Sequence, residues 1–351
     1  MQVFSQKSVK THISILKNIP ISINIKQGQP GTLIFENQNS QRAVCLKCIN
    51  PRCIFFSDQE LECNIIKNFP KDNTKTVCAA GAITWDEELD APVVNNQRCL
   101  NCGICIKRCP VGALYFTPQG NLSVNLEPTD FIEKKIIDNE TKALHYHQID
   151  KLLNHTRREE NILLVSDKIF EKIYGRINKL DNDFHNLLCR NLLLALGSEC
   201  SIRRIGDVYT RMDAIYKSSE GSYGAVEIEF GKDTLEASRA LLDDIAVLNT
   251  RYNVTKQVNK PIVICLQLPN VRQGYWQVVK DIMIVEKIKI GTITVGALMI
   301  LLWNGCHFKP ENDAYYLDYD NMNLRKIICK QIAQDNIPLS EKKLGIIEPA
   351  K

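Results

Sequence analysis

The sequence predicts a two-part α+β/α/β protein, in which a small cysteine-rich domain precedes an α/β domain with a central mixed sheet. The chain has 351 residues, about twice the length of an average domain. Nine of its 14 cysteines lie between Cys45 and Cys109. In the C-terminal half, helical and strand patterns alternate, as they do in α/β folds. We therefore expect domains at 1–120 and 182–351, joined by a helical linker at 121–181.

Composition excludes two broad classes of protein. Hydrophobic residues make up 44% of the chain and charged residues 24%, so a packed core is expected and general disorder is excluded. The longest apolar run, Gly291–Trp303, is shorter than the ~18 residues of a membrane span. The N-terminal residues contain no apolar signal core, which predicts a cytoplasmic protein without membrane partners. The net charge of +4 does not by itself indicate nucleic acid.

One cysteine motif predicts an iron–sulfur cluster. Cys99, Cys102, Cys105 and Cys109 have the spacing C-x2-C-x2-C-x3-C, and Pro110 follows the last of them. Three thiolates at this spacing surround one face of a [4Fe–4S] cube, while the fourth ligates a second cluster in two-cluster proteins. Structural zinc sites usually contain two separate C-x2-4-C pairs instead. Iron is therefore the expected metal.

An imperfect second copy of this motif precedes the first. Cys45 and Cys48 are followed by Cys53 after a widened gap, and the fourth cysteine, Cys78, comes only after a long insertion. The tails CAAGAI after Cys78 and CPVGAL after Cys109 match in pattern, which indicates an internal repeat. Two clusters are expected, with one cluster as the alternative. Cys63, inside the insertion, is either a substitute ligand or a spare thiol.

These motifs resemble the bacterial two-cluster ferredoxin family over residues 43–118. The family exchanges the fourth ligand between its two clusters. The resemblance therefore implies one cluster held by Cys45, Cys48, Cys53 and Cys109 and another held by Cys99, Cys102, Cys105 and Cys78. The widened gap, the insertion and Ala79 in place of proline all depart from the family pattern, and all fall in the first copy.

Short elements are expected around the cysteine motifs. Alternating apolar residues within 1–40 predict a β-hairpin, and strands are expected at 82–85 and 113–116. The linker should contain helices at Thr129–Ile137 and Lys168–Leu180.

The C-terminal half should alternate helices and strands around its sheet. The predicted order is a helix at 184–196, strands at 207–216 and 225–230, a helix at 233–248, a strand at 262–268, a helix at 275–286, a strand at 293–302 and a short helix at 324–333.

Three carboxylates are predicted to meet on one face of this sheet. Asp213 lies on the first predicted strand, while Glu227 and Glu229 lie two residues apart on the next and so share a face. Their mutual repulsion is costly unless a cation lies between them. Hard oxygen ligands favour Mg2+, or Mn2+, which can lower the pKa of water and clamp a scissile phosphate.

This half resembles the PD-(D/E)xK nuclease superfamily over residues 183–304, with a restriction-endonuclease-like fold. The resemblance implies that Asp213 and Glu227 bind the metal ion and that DNA is the substrate. Glu229 occupies the position where the family usually has lysine, and Lys232 could supply the missing ammonium group. Glu199 would be an accessory ligand, and Arg239 would face the phosphate.

Two other interpretations stay open from the sequence. Asp213 could form an ion pair with Arg211 or Lys217, and Glu227 and Glu229 could form the exposed face of an edge strand. Two functions also stay open. The chain is either a metal-dependent DNA endonuclease for defence or repair, or a ferredoxin-type electron carrier with a redox partner or partner subunits. A DNA-binding protein without cleavage activity falls between these. The sequence gives no indication of the oligomeric state.

Overall fold

The computed structural model describes residues 21–25, 33–37, 45, 47–48, 50–109, 112–126, 162–231, 234–255, 259–340 and 344–350. The helix predicted at Thr129–Ile137 lies outside these residues. The chain forms two compact units that interleave along the sequence. The first unit contains residues 1–55, 81–101 and 105–162, and the second contains 56–80, 102–104 and 163–351.

The described part of the first unit is built from β-hairpins. The strands are β1 (Ile21–Ile25), β2 (Leu33–Asn37), β3 (Ile83–Asp86), β4 (Ala91–Val94), β5 (Leu114–Phe116) and β6 (Leu122–Val124). They pair as β1–β2, β3–β4 and β5–β6, each antiparallel. A short helix, α1 (Ile104–Arg108), carries Cys105 at its start. The predicted N-terminal hairpin and the two strands after the cysteine tails are confirmed.

The two matching cysteine tails each contain a glycine with a left-handed backbone conformation. Gly81 and Gly112 occupy equivalent positions, with φ of +58° and +73°. A side chain is strained in this left-handed region, and a Cβ at Gly81 would also lie 3.1 Å from the Arg98 guanidinium. The sequence repeat is thus matched in structure at this glycine position.

The second unit contains the predicted mixed sheet. Its elements are α2 (Asp167–Ile177), α3 (Asn182–Ala195), β7 (Glu199–Ile202), β8 (Ala214–Lys217), β9 (Tyr223–Glu229), α4 (Thr234–Tyr252), β10 (Ile262–Cys265), α5 (Tyr275–Glu286), β11 (Gly291–Thr294), α6 (Val295–Trp303) and α7 (Arg325–Gln331). The strand order is β11-β10-β9-β8-β7. Strands β7 to β9 are antiparallel, and β9 to β11 are parallel, because a helix links each parallel pair. Helices α4 and α5 pack together, and α4 covers β9 and β10.

The first strand of the predicted hairpin is shorter than expected. The pattern at 207–216 forms strand only from Ala214, so Asp213 immediately precedes β8, and the additional strand β7 was missed. Residues 203–213 form a loop, closed by a hydrogen bond from Arg203 N to Asp213 O at 2.9 Å. Within this loop the Asp207 carboxylate accepts hydrogen bonds from two backbone N–H groups. These groups are therefore not available to pair with a neighbouring strand.

The strand predicted at 293–302 was wrong for most of its length. Strand β11 ends at Thr294, and α6 follows directly. The Thr294 hydroxyl accepts a hydrogen bond from Ala297 N at 3.0 Å and so caps the helix. Every residue of α6 is buried, so its sequence has no polar face to reveal a helical period. Among the described residues, none of the helices has the length and apolarity that crossing a bilayer requires.

The insertion between Cys53 and Cys78 folds with the second unit from Phe56 onward. It lies along β7, where Lys71 and Arg203 form an antiparallel bridge. The side chain of Arg190, fully buried on α3, donates to Thr74 O at 2.6 Å and lies 3.5 Å from the Asp72 carboxylate.

The neighbouring Asn191 fixes the end of this insertion. Its amide nitrogen lies 2.9 Å from both Thr76 O and Val77 O, so it donates to the backbone just before Cys78. Asn191 is itself fully buried. These bonds connect helix α3 directly to the residue that precedes a predicted cluster ligand.

Replacing Asn191 by leucine should destabilise the second unit by about 1–3 kcal/mol, because two buried carbonyl groups lose their donor. Urea unfolding of the full chain, followed by far-UV circular dichroism under anaerobic conditions, measures this change. Asn178→Leu, at an exposed position just after α2, is the control and should change the free energy of unfolding by less than about 0.5 kcal/mol. Equal stability of Asn191→Leu and wild type would contradict the anchoring role.

Candidate metal centres

Four cysteines of the first unit form one electrostatic neighbourhood. Cys53 and Cys109 are buried, and Cys45 and Cys48 are partly buried. Burial raises the pKa of the Cys53 thiol, and the charges of Cys109, Cys45 and Cys48 raise it further. Burial likewise raises the pKa of Cys45 to about 11, with a smaller contribution from Cys109. The structure therefore groups the four thiols that the resemblance assigns to one cluster.

Hydrogen bonds and tight turns hold the loops around these sulfurs. The Cys109 sulfur accepts a hydrogen bond from Ala113 N at 3.3 Å. The Arg108 guanidinium donates to Arg52 O at 2.8 Å, which connects helix α1 to the residue before Cys53. Four thiols that raise one another's pKa are costly to ionise without cations, so the donor set fits an iron–sulfur cluster.

The second predicted ligand set is divided between the two units. Cys99 and Cys105 are buried in the first unit, and Asn101 N donates to the Cys99 sulfur at 3.4 Å. Cys78 and Cys102 belong to the second unit. There the Trp303 indole N–H donates to Cys102 O at 2.9 Å. This ligand set stays a prediction.

Cys63 has other surroundings. It belongs to the second unit, where burial raises its pKa to about 12 and Glu199 adds to the shift. Its charge in turn raises the pKa of Cys200 on β7, after the larger effect of burial. These neighbours are those of a core thiol beside the sheet and support the interpretation of Cys63 as a spare cysteine.

Asp213 and Glu227 are cross-strand neighbours. The pairing of Ala214 with Val226 places the preceding residue, Asp213, opposite Glu227 on the same face of the sheet. Asp213 Oδ2 accepts a hydrogen bond from Ile228 N at 3.0 Å. Burial raises the pKa of both carboxyl groups, and the negative charge of Asp213 further raises that of Glu227.

The alternative ion pairs for Asp213 are wrong. Arg211 pairs with Asp243 at 2.6 Å, and Lys217 pairs with Glu199 at 3.5 Å. The cation nearest to Asp213 Oδ1 among the described ion pairs is Arg203, at 3.7 Å. The edge-strand alternative is also wrong, because β9 is the central strand of the five.

Sequence reasoning missed a third carboxyl group, Asp244 on α4. Its side chain is fully buried, and neither oxygen accepts a hydrogen bond from a donor in the described part of the chain. It interacts instead with Glu227, another carboxyl group, and burial raises its pKa. Asp244 shares the buried face of α4 with Leu241 and Leu248. An acidic residue on the apolar face of a helix was the signal in the sequence.

The remaining predicted residues that the structure describes have other partners, although the charge of Glu229 contributes to the raised pKa of Asp213. Glu229 Oε1 accepts a hydrogen bond from Gly231 N at 2.5 Å, at the end of its strand. Glu199 is occupied by Lys217 and by Asn64 N at 2.8 Å, so it faces the insertion. Arg239 pairs with Glu236 on its own helix. Lys232 lies outside the described residues.

No three His, Cys, Asp or Glu side chains converge on one ion position within the ranges that the structure describes. Two carboxylates are enough for Mg2+, which usually keeps several waters and binds one or two protein carboxylates. In a [4Fe–4S] cube each thiolate binds a different iron, so its ligands need not converge on a single ion. Asp213 and Glu227 therefore fit a magnesium ion that retains part of its water shell.

Comparison with known proteins supports the iron–sulfur interpretation. Residues 75–113 match the family model of the 4Fe-4S dicluster domain, which includes Cys78 and the motif from Cys99 to Cys109. This part of the chain is an iron–sulfur domain of the ferredoxin type. The chain is also 39% identical over 44 residues to ketoisovalerate oxidoreductase subunit VorD of Pyrococcus furiosus, a match over 12% of this chain and 42% of VorD. The chain thus matches less than half of that relative.

A structural comparison found similarity to restriction endonuclease FokI. The similarity covers 58% of this chain and 38% of FokI, with 8% sequence identity and a TM-score of 0.27. A TM-score this low supports no conclusion about the fold or activity of this chain.

Cys53→Ser should lose one of the two predicted clusters, because Cys53 lies among the three other thiols of its predicted ligand set. The iron content per chain should therefore fall by about half. Cys63→Ser should keep all of it, since Cys63 lies beside β7. Iron and sulfide analysis of anaerobically purified protein measures both, and visible absorption near the cluster band provides a second readout. Iron loss in Cys63→Ser but not in Cys53→Ser would overturn the assignment.

Asp244→Asn should stabilise the metal-free protein by about 1–3 kcal/mol above about pH 8. The folded state raises the pKa of Asp244, so the protonated carboxyl group favours folding and the ionised group opposes it. The free energy of unfolding of the wild type therefore falls as pH rises from the pKa in the unfolded chain, about 4, through the raised pKa in the folded chain. The gain should therefore vanish at low pH. Urea unfolding in EDTA, from low pH to above about pH 8, measures this gain in the free energy of unfolding. Added Mg2+ should stabilise the wild type more than Asp244→Asn and so reduce the difference between them.

Asp243→Asn is the matched control for this prediction. Asp243 precedes Asp244 on α4, and its side chain is 65% exposed in a surface ion pair with Arg211. Such pairs contribute about 0–1 kcal/mol, and the charge of Asp243 makes only a smaller contribution to the raised pKa of Asp244. This variant should therefore gain much less stability at high pH than Asp244→Asn. A gain for Asp243→Asn equal to that for Asp244→Asn would contradict the buried-charge explanation.

Proposed function

We propose that this chain is a metal-dependent DNA endonuclease that carries a ferredoxin-type iron–sulfur domain. The supporting observation is the pair Asp213 and Glu227, which face each other on adjacent strands beside the buried Asp244, whose side chain interacts with Glu227. Three carboxyl groups removed from water are costly to ionise unless a cation compensates them. A restriction-endonuclease-like fold, suggested by the resemblance in motif and element order, is part of this proposal.

The residues of the chain would each have a separate task at this site. Asp213 and Glu227 would hold Mg2+ or Mn2+, and this ion would lower the pKa of water and neutralise charge on the scissile phosphate. Ile228 N and Arg203 hold Asp213 in place through its two oxygens. Asp244 keeps Glu227 oriented and is positioned to share a proton with it. Glu229, at the end of β9, would face the phosphate side of the site.

Electron transfer is the second candidate function. The match to the 4Fe-4S dicluster domain and the short similarity to an oxidoreductase subunit favour it. In this case the first unit would exchange electrons with a partner protein, and the second unit would dock it. A carrier should undergo reversible reduction and reoxidation that is fast on the timescale of turnover, whereas clusters with a structural role should resist cycling.

Anaerobic incubation of the purified full chain with plasmid and single-stranded DNA, in the presence of Mg2+ or Mn2+, tests the endonuclease proposal. Wild type should cleave DNA, and Asp213→Asn and Glu227→Gln should each reduce the rate by at least about 100-fold, since either change removes a charge that holds the cation. EDTA should abolish cleavage by the wild type.

Glu220→Gln is the control for the loss of a carboxylate. Glu220 lies in the turn between β8 and β9, at the opposite end of these strands from Asp213, and pairs with Lys309. Its cleavage rate should match that of wild type. No cleavage by wild-type protein with full iron content, together with rapid reversible reduction, would reject the endonuclease and favour the electron carrier.

A further inference from the structure

The loop between β7 and β8, residues 203–213, exposes large apolar side chains next to the carboxylates. Ile205, Val208 and Tyr209 are 71%, 78% and 77% exposed. They lie within five residues of one another on a single loop, which distinguishes them from isolated surface hydrophobic residues. A cluster of exposed apolar groups is typical of a surface that binds a partner.

The backbone of this loop is held in one conformation. The Asp207 carboxylate accepts hydrogen bonds from Tyr209 N at 3.0 Å and Thr210 N at 2.7 Å. The Arg203 guanidinium donates to Asp207 O at 3.1 Å and to Thr210 O at 3.2 Å, from inside the loop. The exposed side chains are therefore presented by a fixed turn, so little conformational entropy is lost when a partner binds them.

The same residues connect the loop to the candidate site. Arg203, which holds the loop backbone, also pairs with Asp213 Oδ1 at 3.7 Å. Helix α4, which carries Asp244, holds the outer part of the loop: Arg251 donates to Tyr209 O at 3.0 Å, and Asp243 pairs with Arg211. The loop that carries the apolar cluster is thus tied to Asp213 and to helix α4 by contacts within the second unit.

The chemistry of the loop fits nucleic acid. Of the three arginines of this segment, Arg203 pairs with Asp213 and Arg211 pairs with Asp243. The third, Arg204, is exposed and available to a phosphate. Positive charge favours phosphates, and an exposed aromatic ring can stack on any base. In a duplex the faces of the bases are covered by their neighbours, so the ring of Tyr209 can reach only an unpaired or unstacked base.

We propose that the β7–β8 loop binds single-stranded DNA, with Tyr209 stacking on an unpaired base beside the phosphate presented to Asp213 and Glu227. This inference rests on the proposed function and specifies its substrate as single-stranded or locally unpaired DNA. Ile205 and Val208 extend the apolar contact, and Arg204 contacts the backbone of the strand.

Binding of the full iron-loaded chain to a labelled single-stranded oligonucleotide, and to the duplex of the same sequence, tests the inference. Fluorescence anisotropy in EDTA gives Kd without cleavage. Tyr209→Ala should weaken single-strand binding by about 5- to 150-fold, the loss of one base–aromatic stack, while Tyr209→Phe retains the ring and should bind as wild type does. Duplex binding should change by less than about twofold.

Two controls separate stacking from general damage. Tyr319→Ala removes another exposed tyrosine of the same unit, 58% exposed, and should leave Kd unchanged. An oligonucleotide with 2-aminopurine reports stacking directly, because its fluorescence is quenched when the base stacks. Wild type and Tyr209→Phe should quench it, and Tyr209→Ala should not.

An unchanged single-strand Kd in Tyr209→Ala, or an equal loss in Tyr209→Phe, would overturn the inference. Equal weakening of duplex binding would also overturn it, because the ring would then not select unpaired bases. DNA cleavage together with single-strand binding that does not depend on Tyr209 would reject the proposed role of the loop but not the endonuclease proposal. Tyr209-dependent binding without cleavage would reject the endonuclease and leave the loop as a DNA-binding surface.

Discussion

Buried negative charge that the chain does not itself neutralise is the constraint on which both candidate sites depend. In the first unit, burial and the charges of its neighbours make Cys53 difficult to ionise as a free thiol. In the second unit, burial raises the pKa of Asp213, Glu227 and Asp244, and the charge of Asp213 further raises the pKa of the other two carboxyl groups. Thiolates suit iron and carboxylates suit magnesium, so in the proposed function two chemically different cations would meet the same physical requirement.

The fold brings these groups together in two different ways. In the first unit, Cys53 and Cys109, which come from different motifs, act on each other electrostatically. In the second unit, strand register places Asp213 opposite Glu227, and α4 adds Asp244 from above the sheet. Arg203 then joins the carboxylates to the exposed β7–β8 loop. The proposed cleavage site and the proposed DNA-binding surface therefore share one arginine.

Local patterns in the sequence predicted most of these elements, and long-range packing decided the rest. Cysteine spacing and helical or alternating periodicity were sufficient for the ferredoxin-type motif, for α3 and α5, and for the mixed sheet. The helix α6 was mistaken for a strand because all of its residues are buried and show no period. Asp244 was missed because its role arises only when α4 packs on β9. The insertion before Cys78 gave no sign that it would fold along β7, since Arg190 and Asn191 lie more than a hundred residues away.

Mn2+ binding to the carboxylate site tests the central claim most directly, because it does not depend on finding the right DNA. Electron paramagnetic resonance of free Mn2+, titrated against anaerobic, iron-loaded full chain, gives the number of bound ions and their affinity. The account predicts one Mn2+ per chain, which Mg2+ displaces, and loss of that ion in Glu227→Gln but not in Glu220→Gln. Absence of a bound ion in the wild type, or an equal affinity in Glu227→Gln, would contradict the cation site and the endonuclease proposal with it.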